Sequence, residues 1–212
     1  MEWFIAVVSA LIGAVVGALV SHIFTDKNSK QRTQRLESAF YNEFEYISKT
    51  LELLFPTLIV EYQEPLREQY SGLPFLDLSL IDALVIELAS TDKLVTPAQR
   101  ELIVRLSPVV TRLVKNNEKR GKYEDSWMLN SHTMDNLEER DCSKNISYYT
   151  GLLLVDVTWV IFHLKKLSAE KERFAFSKGA TREDLAKACC SSIGIRYDET
   201  VWKPMLLMLG AN

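Results

Sequence analysis

An uncharged apolar run near the start of the chain constrains the fold more than any other feature. It extends over 22 residues from Trp3 to Phe24 and contains no Asp, Glu, Lys or Arg. At about 1.5 Å per residue, a helix of this length reaches roughly 33 Å, close to the hydrocarbon thickness of a bilayer. A cleavable signal peptide would have a basic start and a shorter apolar core. We therefore predict a transmembrane anchor over residues 1–25.

The charges that flank this run predict its orientation. Before it the only charged side chain is Glu2, whereas four basic residues follow it closely: Lys27, Lys30, Arg32 and Arg35. Basic residues stay preferentially on the cytoplasmic side of a membrane. We therefore expect a single-pass protein of the cell membrane with its N-terminus outside, a juxtamembrane basic segment over residues 26–35 and a cytoplasmic domain over residues 36–212.

Small residues recur every four positions within the predicted span. On a helix these rows lie side by side and form a groove that lets a second helix approach closely, which is how helices associate in lipid. The predicted packing positions are Ser9, Ala10, Gly13, Ala14, Gly17 and Ser21. Ala and Gly are common in any transmembrane helix, but their four-residue repetition favours packing. The expected partners are membrane lipid and either further copies of the chain or a partner membrane protein.

The remainder of the chain shows helical periodicity and almost no strand alternation, which predicts an all-α bundle. An apolar stripe begins at Leu36 and is expected to end near Pro56. Residues 79–90 predict a short, mostly apolar helix that we expect to be buried, and Thr96 with Pro97 starts a helix that we expect to stop near Gly121. Residues 124–144, which contain an acidic cluster, are either a helix or a long loop. Thr181 is predicted to cap another helix.

The run Ile146–Leu167 is long enough to be a second span, but Asp156 lies at its centre. A central Asp costs about 2.5–3.5 kcal/mol on insertion scales, whereas each Leu, Ile or Val returns only about 0.3–0.6 kcal/mol. We therefore favour a buried core helix over a second membrane crossing. Asp156 is then either a functional buried acid or a core carboxylate paired with a basic or hydroxyl group, and pairing is the more common arrangement.

One face of the helix that begins at Thr96 is basic. It carries Arg105, Arg112, Lys115 and Lys119 opposite the apolar stripe. These side chains could contact lipid headgroups or another phosphate, although a solvated helix face is the commoner explanation. Beyond residue 25 the chain has 25 basic and 27 acidic residues. This near balance argues against a nucleic-acid-binding domain.

The sequence contains no motif that identifies catalysis. The three histidines are far apart, the three cysteines lack metal-ligand spacing, and no nucleotide-binding or nucleophile motif is present. We therefore expect no metal, no cofactor and no enzymatic activity. Our main hypothesis is a membrane-anchored scaffold or sensor that acts through protein–protein interaction or oligomerisation. The alternatives are a membrane-perturbing or pore-forming effector gated by its cytoplasmic domain, and a membrane-tethered enzyme with an unrecognised site.

Overall fold

The computed structural model of the chain describes residues 2–91, 93 and 95–210, with the side chains of all these residues except 2–20 and 23. The described residues form helices and connecting turns without any strand, which confirms the prediction of an all-α fold. The helices are α1 Glu2–Gln63, α2 Ser79–Ala89, α3 Pro97–Asn130, α4 Asn136–Glu170, α5 Arg182–Ser192 and α6 Glu199–Met208, with one short 3₁₀ turn at Lys171–Arg173.

Helix α1 is continuous over its 62 residues, and its described side chains become buried only in its second half. From Ser21 to Ala39 none of its described side chains is buried, and Phe40 is the first core residue. The expected end of this helix at Pro56 was wrong. Phe55 and Leu58 are both fully buried, so packing on both sides of the proline offsets the backbone hydrogen bond that it cannot make.

The predicted anchor is only partly within the described residues. Of positions 3–24, only the side chains of Ser21, His22 and Phe24 are described, and all three are exposed. Among the described residues, no helix is both long enough and apolar enough to cross a bilayer.

Helix α3 begins as its sequence predicts but is longer than expected. The Thr96 side-chain oxygen accepts a hydrogen bond from the backbone N–H of Gln99, and the Gln99 Oε1 accepts one from the backbone N–H of Thr96, which completes a capping box. The predicted end near Gly121 was wrong, because α3 continues to Asn130. Arg120 and Glu124 lie on either side of this glycine and are buried against α1, so tertiary contacts extend the helix.

Helix α4 is the central element of the bundle and packs against α1, α3 and α5. Its apolar part is buried, which confirms the core-helix interpretation of residues 146–167. The acidic cluster that precedes this part belongs to the same helix. Asp135 is the N-cap, and Glu138 completes a capping box with it, so these carboxylates face the positive end of the helix dipole.

The shorter helices complete the bundle around α1 and α4. Helix α2 packs against α1 through Ile81, Leu84 and Leu88, while much of its remaining surface is exposed, so the expectation that it is mostly buried was only partly right. Thr181 caps α5 as predicted, and α5 packs against α4 and α6.

Candidate functional site

A pocket of about 290 Å³ lies where α3, α4, α5 and α6 meet. Its polar lining consists of Arg112, Asp156, Thr158 and Arg182. Its apolar lining consists of Val109, Val155, Trp159, Leu185, Trp202 and Leu206. The pocket therefore combines a largely apolar wall with two guanidinium groups and one carboxylate.

Asp156 lies at one side of this pocket and is paired with Arg112. The Arg112 Nε donates to Oδ2 at 2.8 Å and its Nη2 donates to Oδ1 at 2.6 Å, a two-point contact that occupies both carboxylate oxygens. The Asp156 side chain is 8% exposed and that of Arg112 is 53% exposed. The hydrogen bonds to Asp156 raise the pKa of Arg112 further above its ordinary value. Of the two interpretations of Asp156, the structure shows the paired core carboxylate.

The guanidinium groups of this pocket retain unused donors. Nη1 of Arg112 donates to none of the described residues, because the contact with Asp156 uses only Nε and Nη2. Arg182 is the first residue of α5 and is exposed, and it forms no hydrogen bond or ion pair within the described part of the chain. With Asp156 neutralised by one arginine, the second arginine leaves the pocket with a net charge of +1.

Trp202 connects the pocket to α1. Its side chain is 1% exposed and stacks on Phe55 of α1, with ring centroids 5.9 Å apart. Tyr197 stacks on the same indole at 6.0 Å. A buried tryptophan held between two rings has little rotamer freedom, so the wall that it contributes to the pocket is well defined.

The four basic residues predicted as one face are all exposed, but they differ in their neighbours. Arg112 points to α4 and pairs with Asp156, as described above. Arg105 forms an ion pair with Glu101 one turn earlier and lies over the ring of Phe176 at 4.9 Å. These two residues are therefore already engaged within the bundle.

The other two basic residues remain at the surface. Lys119 lies over the ring of Tyr149, with its Nζ 5.8 Å from the centroid. Lys115 is exposed and has no ion pair with any described residue. Because Arg105 and Arg112 are also more than half exposed, a contact with lipid headgroups stays a prediction for all four residues.

A second polar cluster, which the sequence did not predict, surrounds Arg120. This arginine is 1% exposed, and its Nη1 donates to Oε2 of Glu61 in α1 at 2.8 Å. Its Nη2 donates to the backbone oxygen of Ser71 and to Oδ1 of Asn117. The other oxygen of Glu61 accepts from the Ser71 backbone N–H at 2.5 Å. Arg120 thus joins α1, α3 and the connection between α1 and α2.

Glu124 adds a second carboxylate to this cluster. Its Oε1 lies 2.7 Å from Nε of Arg120, but the two atoms are not aligned for a hydrogen bond. Burial, together with the negative charge of Glu61, raises the pKa of Glu124 to about 7, although Arg120 acts in the opposite direction. The cluster is charge-balanced when Glu124 carries a proton, because Arg120 then faces a single carboxylate.

The predicted groove on α1 lies almost entirely outside the described side chains. Ser21 is the exception; it is exposed, and its carbonyl oxygen accepts a hydrogen bond from Thr25. Farther along the same helix, three exposed apolar residues recur every seven positions. They are Tyr46, Leu53 and Val60, with exposures of 65%, 82% and 40%. A seven-residue apolar spacing is typical of a helix that packs lengthwise on another helix.

The described residues that usually carry nucleophilic or metal chemistry are buried or dispersed. Burial raises the pKa of the Cys189 thiol to about 12 and that of Cys190 to about 11, so both thiols stay protonated near neutral pH. The ring of His163 lies with its Nδ1 2.8 Å from the carbonyl oxygen of Trp159. No cluster of His, Cys, Asp and Glu among the described residues has a geometry that would hold a metal ion.

Comparison of the chain with protein-family models, with curated proteins and with solved structures finds no match. The pocket, the buried cluster around Arg120 and the exposed face of α1 are the features of the described residues that bear on function.

Proposed function

We propose that the protein is a single-pass membrane protein that works without catalysis, by associating with a second copy of itself through α1. The observation that carries this proposal is the continuity of α1 from Glu2 to Gln63. One helix provides the predicted membrane span at its start and core residues of the bundle near its end.

The membrane span is supported by the sequence of α1. The run Trp3–Phe24 is uncharged, and basic residues follow it at Lys27, Lys30 and Arg32. This pattern supports a position of the bundle on the cytoplasmic side. Residues 25–39 have no buried side chain and would extend roughly 22 Å as a helix. This length supports an arrangement in which the bundle stands away from the bilayer surface.

The two apolar features of α1 support association through one face. At about 100° per residue, Ala10, Gly17 and Ser21 lie within about 20° of Tyr46 around the helix axis. Leu53 falls on the same side as Tyr46, opposite the residues of α1 that are buried in the bundle. Two copies anchored in one membrane are parallel, so the same face of each α1 would meet along its length.

The geometry of Asp156 supports a role without catalysis. Both of its oxygens accept hydrogen bonds from Arg112, an arrangement typical of a structural ion pair. The pocket beside it is consequently better suited to binding than to acid–base chemistry.

Association can be tested with the full chain in two ways. Chemical crosslinking through groups other than cysteine is applied in native membranes, and the native mass is measured in mild detergent. Gly13→Leu and Gly17→Leu should reduce a dimer to a monomer, because a bulky side chain in the groove separates the helices. Val15→Leu is the matched control, since position 15 lies on the opposite side of the helix. A dimer that survives both glycine substitutions, or a monomeric wild-type chain, would contradict the proposal.

The exposed stripe of the bundle provides a second arm of the same test. Leu53→Lys should weaken the dimer while leaving the fold intact, because the Leu53 side chain is 82% exposed. Ile86→Lys is the control, because Ile86 is a similarly exposed residue of α2, at 71%. Equal effects of the two lysine substitutions would show that the stripe has no special part in association.

A further inference from the structure

We infer that the pocket between α3, α4, α5 and α6 binds a small organic monoanion with an apolar body, a carboxylic acid of about ten non-hydrogen atoms. This inference goes beyond the proposed function, because it concerns a site in the bundle and does not depend on association through α1.

The charge of the pocket determines the charge of the ligand. Asp156 is neutralised by Arg112, which donates to both of its oxygens, so the pair adds no net charge to the pocket. Arg182 has no anionic partner among the described residues. A single carboxylate balances its charge, whereas a doubly charged phosphate would leave one negative charge without a partner in a partly buried site.

The unused donors of the two arginines determine where the carboxylate binds. Nη1 of Arg112 still carries N–H groups, and the whole guanidinium of Arg182 is available. Both side chains line the same pocket, one from α3 and one from α5. A carboxylate placed between them would receive charge-assisted hydrogen bonds, which are about twice as strong as neutral ones.

The apolar wall and the volume determine the body of the ligand. Trp159 and Trp202 supply flat aromatic surface, and Leu185 and Leu206 complete the wall. A volume of about 290 Å³ is at the lower end of the range for small-molecule pockets and is too small for a peptide or a complete lipid. It corresponds to roughly ten water molecules at liquid density, hence to a ligand of similar heavy-atom count.

The test uses the full chain in nanodiscs of phosphatidylcholine, with empty nanodiscs as the blank. Three probes of one shape differ only in their head group: phenylbutyrate, phenylbutanol and phenylbutylamine. Binding is measured by isothermal titration calorimetry and by saturation-transfer NMR. Phenylbutyrate should bind at least about tenfold more tightly than the alcohol, and the amine should not bind, because only the acid uses the arginines.

Two substitutions locate the site. Arg182→Met should weaken phenylbutyrate binding at least about tenfold and leave the weak binding of the alcohol unchanged, whereas Arg196→Met, an exposed arginine outside the pocket, should change neither. Val155→Phe should remove binding of both probes by filling the volume, with helical content checked by circular dichroism. Equal affinity for all three probes, or an unchanged affinity after Arg182→Met, would overturn the inference.

The source of the acid is distinguished by a second set of nanodiscs that contain phosphatidic acid. If phenylbutyrate binding is lost there and returns when the anionic lipid is left out, the site accepts an anionic group from the bilayer. If binding is retained, the ligand is a free acid from solution. Retained binding supports the inference, whereas competition by phosphatidic acid would overturn it, because the site would then accept a lipid phosphate.

Discussion

Protonation of Glu124 should control the stability of the bundle near neutral pH. Its carboxyl group is buried beside Arg120 and Glu61, and its pKa is raised from 4.5 to about 7. We expect Glu124→Gln to remove this dependence, because glutamine has nearly the same size and stays neutral at every pH. The buried cluster then keeps one positive and one negative charge throughout.

The sign and the size of the effect follow from linkage. Between pH 4.5 and pH 7 the folded chain holds a proton on Glu124 that the unfolded chain releases. The contribution of Glu124 to the free energy of unfolding therefore falls as the pH rises through this window, and the loss is complete above pH 7. The shift corresponds to about 3 kcal/mol. For a chain of this length that is a difference of roughly 6–12 °C in Tm.

The measurement is thermal unfolding of the full chain followed by circular dichroism at pH 5, 6, 7 and 8. Other groups titrate in the same range, so the informative quantity is the difference in Tm between the wild type and Glu124→Gln at each pH. This difference should be small at pH 5 and should grow in favour of the variant towards pH 8. Glu118→Gln, at an exposed position of the same helix, is the matched control. A difference that is the same at pH 5 and pH 8 would refute the raised pKa.

Three further substitutions test the packing of the bundle, each by chemical or thermal unfolding. Replacing Arg120 with methionine should cost about 3–5 kcal/mol, because the buried carboxylate of Glu61 loses its counter-charge; a loss below about 1 kcal/mol would show that the cluster is hydrated. At Gly151 an added Cβ would lie 3.2 Å from Cγ of Met205, so alanine should be tolerated while leucine costs about 1–3 kcal/mol, and equal effects would contradict the close approach. Pro56→Ala should stabilise the chain by about 1–3 kcal/mol, because it restores a backbone hydrogen bond inside α1. An unchanged free energy of unfolding would show that the new backbone N–H has no acceptor within reach.

Local signals predicted the helix starts, whereas tertiary packing decided where helices continue. The caps at Thr96 and Thr181 depend on side chains three residues apart, and both form as expected. Pro56 and Gly121 are strong local breakers, yet both lie inside helices because their neighbours are buried. The balance between a breaker and the packing around it depends on contacts with other helices, which a local pattern does not contain.

The candidate site was predictable only in part. An Asp on an apolar helix indicated a paired carboxylate, but the partner is 44 positions away and no spacing rule identifies it. The buried cluster had an overlooked signal. The apolar stripe of α3 continues with the same spacing through Asn116, Arg120 and Glu124, and all three are buried. Helical phase therefore indicates that these polar positions are buried, although their residue types are typical of a solvated face.

The proposed common face of α1 leads to one prediction that substitutions cannot test, because the prediction depends on helical phase alone. Insertion of two alanines between Lys30 and Gln31 would rotate the bundle by about 200° relative to the groove, so Tyr46 would point away from the partner. Insertion of seven alanines would rotate it by about 700°, which returns the face to within about 20° of its original direction.

Both insertions fall in the part of α1 where no described side chain is buried, so the core of the bundle should be unaffected by either. If the groove and the Tyr46–Val60 stripe meet one partner helix together, two alanines should weaken dimerisation by at least about tenfold, while seven should leave it near the wild-type value. If the span alone drives association, the two insertions should behave alike. If the seven-residue insertion dimerises no better than the two-residue one, restoring the helical phase does not restore the dimer. The stripe and the groove would then not contact the same partner helix.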